Sequence, residues 1–165
     1  MPKLISDERV ALIALPEPPA DPKNITVEEW DAGVPLQCRI MDYRLSATAS
    51  DTVPAGELCA GNNAQAPGRS NYEGNVTVMR YLTPAGLADP ANDIAWTTFK
   101  DKGTTLHLVD REGPEHDADG AAGQEYSYYE VVTDNPTKPT ERAGFIRREI
   151  VLLVQRAAEN RKLVA

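Results

Sequence analysis

The chain has 165 residues, 17 Lys+Arg against 25 Asp+Glu, a net charge of −8, 13 Pro, 11 Gly and 6% aromatic residues. That length fits one domain with some extended chain, and the acid excess excludes a nucleic-acid binder that works by neutralising phosphates, while suiting a surface that repels nucleic acid. Cys38 and Cys59 are too few for a disulfide framework and read as free, packed thiols; no run is long enough to span a bilayer, and Val10–Leu15 is too short for a secretory signal, so a soluble, cytoplasm-made protein is expected.

Residues 1–35 read as an extended N-terminal arm. Arg9–Leu15 is apolar enough for one short strand or a turn of helix, but Pro16, Pro18, Pro19 and Pro22 then block regular structure. Residues 36–165 read as a β domain. Its first strand is Leu36–Ala47, where Leu36, Cys38 and Ile40 share one face and Gln37, Arg39 and Met41 the other. Residues 48–70 form a loop punctuated by Gly61, Asn62, Asn63, Pro67 and Gly68. Asn71–Leu82 is the clearest strand. Val76, Val78, Arg80 and Leu82 fall on one side and Thr77, Met79 and Tyr81 on the other. Neither side is purely polar, so both faces are expected to be covered at least in part.

One helix is signalled between Asp89 as cap, Pro90 at its first position and Gly103 at its exit. Ala91, Ile94, Ala95 and Phe99 keep helical spacing within it. Trp96 lies off that stripe, either flanking the internal contact or meeting a neighbouring subunit. Thr104–Arg111 and Tyr126–Thr133 read as a hairpin across the acidic, Gly-rich connection Glu112–Gly123. Residues 135–143 turn through Pro136 and Pro139. Gly144–Gln155 is the last long strand and Ala157–Ala165 a tail.

Chemistry finds little footing in this pattern. His107, His116, Asp117 and Asp119 are the one candidate metal set, and Asp117-Ala118-Asp119-Gly120 lacks the later oxygen ligands of a calcium loop. No nucleophile elbow, phosphate loop or zinc pair occurs. The reading is therefore of a protein with no catalytic residue, no cofactor and no metal, and not an enzyme. Arg147 and Arg148, adjacent on a strand, must point to opposite faces. One of them faces away from the core, as a simple surface charge or as a partner for a neighbour's acid.

The densest signal is Glu57–Leu82 (ELCAGNNAQAPGRSNYEGNVTVMRYL), preceded by SATASDTV at Ser46–Val53. With LHLVDREGP (Leu106–Pro114), YYEVVTDNPTKP (Tyr128–Pro139) and FIRREIVLLVQ (Phe145–Gln155), the chain from about Leu36 onward resembles the tail tube proteins, the major tail subunits of long-tailed bacteriophages (siphophages). The resemblance implies a mainly β fold, a β-sandwich or partial β-barrel with one flanking α-helix, related to the tubes of contractile tails and type VI secretion. It implies a structural virion protein whose copies form hexameric rings stacked into a hollow tube. DNA passes through the lumen without specific binding. The other partners implied are the tape measure, tail tip and terminator proteins, with no membrane. The other readings are a terminator or connector ring and a monomeric β-sandwich decoration module.

Under that resemblance the strands at 36–47, 71–82, 126–133 and 144–155 are the candidates for the inner sheet. Glu73, Asn75, Thr77 and Glu130 are then expected to face the lumen. Gly68, Arg69, Tyr72, Gly74, Trp96, Arg147 and Arg148 are expected at contacts between subunits, with loop 48–70 and the arm 1–35 as stacking elements. Gly74→Val and Arg148→Glu are expected to hinder tube formation while leaving the monomer folded.

Overall fold

A computed structural model describes residues 3–59 and 61–165. Met1 and Pro2 of the expected arm and Ala60 of the expected loop lie outside the described residues. Among the described residues the chain forms β1 (Val10–Leu15), α1 (Val27–Asp31), β2 (Val34–Pro35), β3 (Ile40–Thr48), β4 (Thr52–Pro54), β5 (Gln65–Pro67), β6 (Asn71–Met79), α2 (Ile94–Phe99), β7 (Thr105–Glu112), β8 (Glu125–Thr133) and β9 (Arg147–Lys162). Seven strands make one antiparallel sheet in the order β2-β1-β7-β8-β9-β6-β3, and β4 and β5 form a separate two-stranded hairpin. The fold is mainly β, a curled, open half-barrel, as the sequence implied.

The curl follows from where the apolar residues point. Leu12 and Ala14 (β1), Ile40 and Leu45 (β3), Val76 and Val78 (β6), Leu108 (β7), Tyr129 and Val131 (β8) and Ile150 and Leu152 (β9) form one buried cluster, with Ala95 and Phe99 of α2 inserted among them. Strands from both ends of the sheet thus meet around one core, and the sheet must bend to let them. Strand β9 makes this possible through its length. Its first residues pair with β6 and its later ones with β8. Register shifts opposite Tyr126/Tyr128 and Glu130/Val131 bend it, as bulges do.

A second cluster fills the opposite face of β1, β7 and β8. Ala11, Ile13, Leu15, Val109, Tyr126 and Tyr128 pack there against Ile25, Trp30 and Leu163. Here the expectation of an arm over residues 1–35 gives way. Val10–Leu15 is a strand inside the sheet, between β2 and β7, with residues 11–15 all buried. An apolar run with no alternation needs cover on both faces, and the two clusters supply it. The proline segment after it lies along the second cluster. It is fixed by the Tyr126 hydroxyl, which donates to the Pro22 carbonyl (2.9 Å) and accepts from the Ile25 amide (2.9 Å). The short α1 follows, opened by a capping box: the Glu29 amide donates to Thr26 Oγ1 (3.1 Å) and the Thr26 amide to Glu29 Oε2 (2.9 Å).

Other boundaries move for identifiable reasons. Residues 36–39 form a turn before β3, so Cys38 is exposed. Cys59 is exposed near the hairpin tip, and neither thiol is packed as expected. The helix expected from Pro90 starts at Ile94 instead. Asp89 holds a turn at residues 89–92 through the Ala91 amide (3.1 Å) and Asn92 side chain (2.8 Å). Asp93, at the helix start, makes no side-chain cap. Its buried carboxylate instead takes the Arg80 guanidinium (2.9 Å) and the Tyr81 amide (3.0 Å), which ties the end of β6 to α2.

Candidate assembly interface

Three surfaces remain uncovered once the two clusters are filled. The first is the outer face of β3, β6 and β9 and of β8 from Glu130 onward, parts of the four strands nominated for an inner sheet, which are contiguous in the sheet. Along β6 the buried Gly74, Val76 and Val78 alternate with Glu73, Asn75 and Thr77. Glu130 lies between the core residues Tyr129 and Val131 on β8. All four nominated residues therefore share the face opposite the central core. Val151 and Leu153 of β9, each about half exposed, lie on that face too. Two of its arginines are covered by acids, Arg44 by Glu73 and Arg156 by Glu130 (2.8 Å), while Arg147, opposite Met79 on the same face, donates to backbone carbonyls. The Glu130 carboxylate raises the Arg156 pKa.

The second surface is an edge. Strand β3 is nine residues long and pairs only with β6 in the sheet. The opposite edge ends in the two-residue β2. A long open edge offers a row of backbone donors and acceptors to another chain.

The third surface is at the two ends of β3 and β6. The β4–β5 hairpin projects where β3 ends and β6 begins. Its residues are almost all exposed, including Val53 and a fully exposed Leu58. At the other end, where β6 finishes, Leu87, Phe145 and Ile146 are exposed, and the Arg80 amide donates to the Ile146 carbonyl (2.9 Å).

The residues nominated for contacts between subunits divide. Gly68 and Arg69 belong to the projecting hairpin, where the Gly68 amide donates to the Asp51 carbonyl and the Asp51 amide to the Arg69 carbonyl (2.9 Å). Tyr72 and Gly74 have their contacts inside the subunit. Tyr72 packs edge-on against Tyr129 (6.5 Å between ring centroids). A Cβ on Gly74 would lie 2.7 Å from the Leu152 carbonyl oxygen. Gly74→Val therefore strikes the monomer itself, contrary to expectation. Trp96 flanks the internal contact, under the Arg80 guanidinium (4.5 Å). Arg147 and Arg148 are opposite Met79 and Val78, on opposite faces as expected. The Arg147 guanidinium donates to the Ala143 and Glu141 carbonyls (3.0 and 3.3 Å) and that of Arg148 to the Arg147 carbonyl (2.7 Å).

The candidate metal residues are not brought together. His107 stacks on Tyr128, with Nδ1 2.8 Å from its hydroxyl, while His116, Asp117 and Asp119 lie in the loop after β7. Among the described residues no group of three or more His, Cys, Asp or Glu is arranged to hold a metal ion, and no helix is long and apolar enough to cross a membrane. Sequence reasoning missed Arg111, which organises that same loop. It is 1% exposed, donates to the carbonyls of Glu115, Ala118 and Asp119 and to Gln124 Oε1, and stacks on Trp30 at 4.5 Å. Burial lowers its pKa. An arginine two residues after Val109, on the same apolar face of the strand, is the one signal for it.

A family model described as phage tail tube protein matches residues 1–165. No curated protein matches the chain.

Proposed function

The chain belongs to the phage tail tube protein family, which makes it a structural component of the phage virion, and we propose that it is the repeating subunit of the tube wall of a long-tailed phage. In this reading six copies form a ring, rings stack into a hollow tube, and DNA leaves through the lumen. The observation that carries it is the uncovered four-stranded face bounded by the open, nine-residue edge of β3. Pairing of that edge with a different edge of the next copy is a heterologous contact, the kind that closes into a ring. The outer face of β8-β9-β6-β3, with Glu73, Asn75, Thr77 and Glu130, then lines the lumen.

Stacking uses the two ends. The hairpin with Val53 and Leu58 lies at one end of β3 and β6, and Leu87, Phe145 and Ile146 at the other. Two different apolar ends repeat head to tail along an axis without closing. This favours a growing tube over a terminator or connector ring that stops. In the assembled tail the tape measure, tail tip and terminator proteins meet the same surfaces.

Negative-stain electron microscopy of the concentrated protein tests the proposal. Hollow tubes of stacked rings are expected. Rings that never stack point to a terminator or connector. If only monomers appear, antibody labelling of intact virions decides: label along the whole tail supports the wall subunit, and label confined to one end or to the capsid overturns it.

A further inference from the structure

At the end of β3 and β6 that carries Leu87, Phe145 and Ile146, the molecule also holds a cavity of about 380 Å³, within the range of sites that enclose a ligand, roughly 300–1,000 Å³. Ile13, Trp30 and Pro35 give it an apolar lining, and Cys38 and Arg39, which lead into β3, form part of its wall. The Met79 amide donates to the Arg39 carbonyl (3.2 Å) and the Tyr81 hydroxyl to the Cys38 carbonyl (3.2 Å), so this wall is fixed to the end of β6. Its hydrogen bonds are incomplete. Gln37 Nε2 donates to the His116 carbonyl (3.1 Å), which leaves Gln37 Oε1 as an acceptor. That atom and His116 Nδ1 are buried without a partner. Such groups cost free energy until a donor or acceptor reaches them.

The opposite end of β3 offers a projection of matching character. The β4–β5 hairpin continues beyond Thr48 and Asn71, its two strands pair only with each other, and Leu58 at its tip is fully exposed. Strand β3 has nine residues at roughly 3.3 Å each, which puts its two ends about 30 Å apart before the hairpin is counted. Tip and cavity therefore do not meet within one subunit. Copies that follow one another head to tail bring them together, because such a contact joins two different surfaces.

We infer that the cavity is the seat for the hairpin tip of a second copy, with Leu58 as the apolar anchor against Ile13, Trp30 and Pro35. An apolar side chain enclosed in a pocket is where the energy of a contact concentrates. The charges fix the orientation. Glu57 is the only charged residue between β4 and β5, and Arg39 is the only lysine or arginine in the lining. Arg39 Nε donates to the Asn92 carbonyl (3.2 Å); its terminal nitrogens, without a partner among the described residues, are left for Glu57. Asp31, Asp117 and Asp119 in the same lining repel Glu57 and accept hydrogen bonds. The uncharged Asn62 and Asn63, on the returning side of the tip, bring amide donors to them. This seat rests on the stacking reading and deepens it, naming the surface of the next copy that the hairpin enters.

The two cysteines of the chain report on the contact without any substitution, since Cys59 adjoins Leu58, Cys38 lines the cavity, and both thiols are exposed. Tubes of the native protein, or tails of intact virions where the purified chain stays monomeric, are treated with a short bis-maleimide and run on a denaturing gel. A ladder of many linked copies is expected, with Cys38–Cys59 as the linked pair in mass spectrometry. Cys38→Ser and Cys59→Ser should each abolish it. Leu58→Asp carries an unpaired charge into an apolar site and should cut the ladder at least about tenfold, while Leu58→Met, which keeps the volume, should retain it. Neither should move Tm, because Leu58 is fully exposed in its own subunit. Pro35→Asp makes the same test from the side of the cavity. Links between like cysteines in place of Cys38–Cys59, a Cys38–Cys59 link within one chain, or a ladder unchanged in Leu58→Asp overturns the seat. Tubes or tails that contain the protein and give no ladder overturn the seat and keep the tube wall; absence of the protein from the tail removes both.

Discussion

Gly74 shows how one residue can be read correctly as critical and wrongly as to why. It lies in the interior of β6, where glycine weakens a strand unless another backbone comes close. The backbone that comes close is β9: a Cβ at Gly74 would meet the Leu152 carbonyl oxygen at 2.7 Å, Leu152 Cβ at 3.0 Å and Leu45 Cδ2 at 3.1 Å. Leu152 and Leu45 belong to the central cluster, so β6 and β9 would have to part to admit a side chain. Gly74→Val should therefore destabilise the isolated subunit by about 1–3 kcal/mol, the usual cost of overpacking, read as a lower urea midpoint at unchanged slope. A variant with native urea stability that fails only in assembly would return Gly74 to the subunit interface.

At the scale of elements, legibility follows how local the cause is. The alternation of Glu73, Gly74, Asn75, Val76, Thr77 and Val78 is written within six residues, and both β6 and the shared face of Glu73, Asn75 and Thr77 can be read from it. The hairpin β7–β8 is equally local. Val10–Leu15 was harder, because its partner is β7, about a hundred residues later, and the prolines after it suggest an arm. The capping box Thr26–Glu29 was readable and marks the helix that the arm reading passed over. The hydrogen bond from Tyr43 to Asp110 could not be read at all, since the two residues meet only once the sheet curls. The β4–β5 hairpin is the opposite case, an element whose side chains serve nothing in its own subunit. Val53 and Leu58 are exposed and residues 52–54 and 65–67 pair only with each other. Replacing residues 52–67 by a short Gly-Ser turn should leave Tm within about 2 °C of native, as expected for surface changes of roughly half a kcal/mol. The same change should leave rings that do not stack in electron micrographs. A large drop in Tm would mean that the hairpin supports the fold; normal tubes would remove it from the stacking contact.

For the whole molecule the question is what a DNA strand in the proposed lumen would meet. The net charge of −8 is only a total, and the face in question carries Arg44, Arg147 and Arg156 as well as acids. Arg44 and Arg156 are paired, with Glu73 and Glu130 respectively, and the Arg147 guanidinium is held by the Ala143 and Glu141 carbonyls. Exposed ion pairs of this kind add little to stability. Their larger effect is on the field, because a guanidinium beside a carboxylate offers a phosphate little net attraction. Six copies per ring would repeat that cancellation around the lumen. Glu73→Gln with Glu130→Gln should accordingly leave Tm and tube formation close to native. It should also make tubes retain double-stranded DNA at low salt, with retention lost steeply as salt rises, as counterion release requires. Glu57→Gln with Glu141→Gln makes the same change in net charge away from this face and is the control. If both pairs of substitutions retain DNA equally, total charge governs passage and the outer face of β8-β9-β6-β3 is not the wall of the lumen; if only the first does, the paired arginines keep the channel from holding what passes through it.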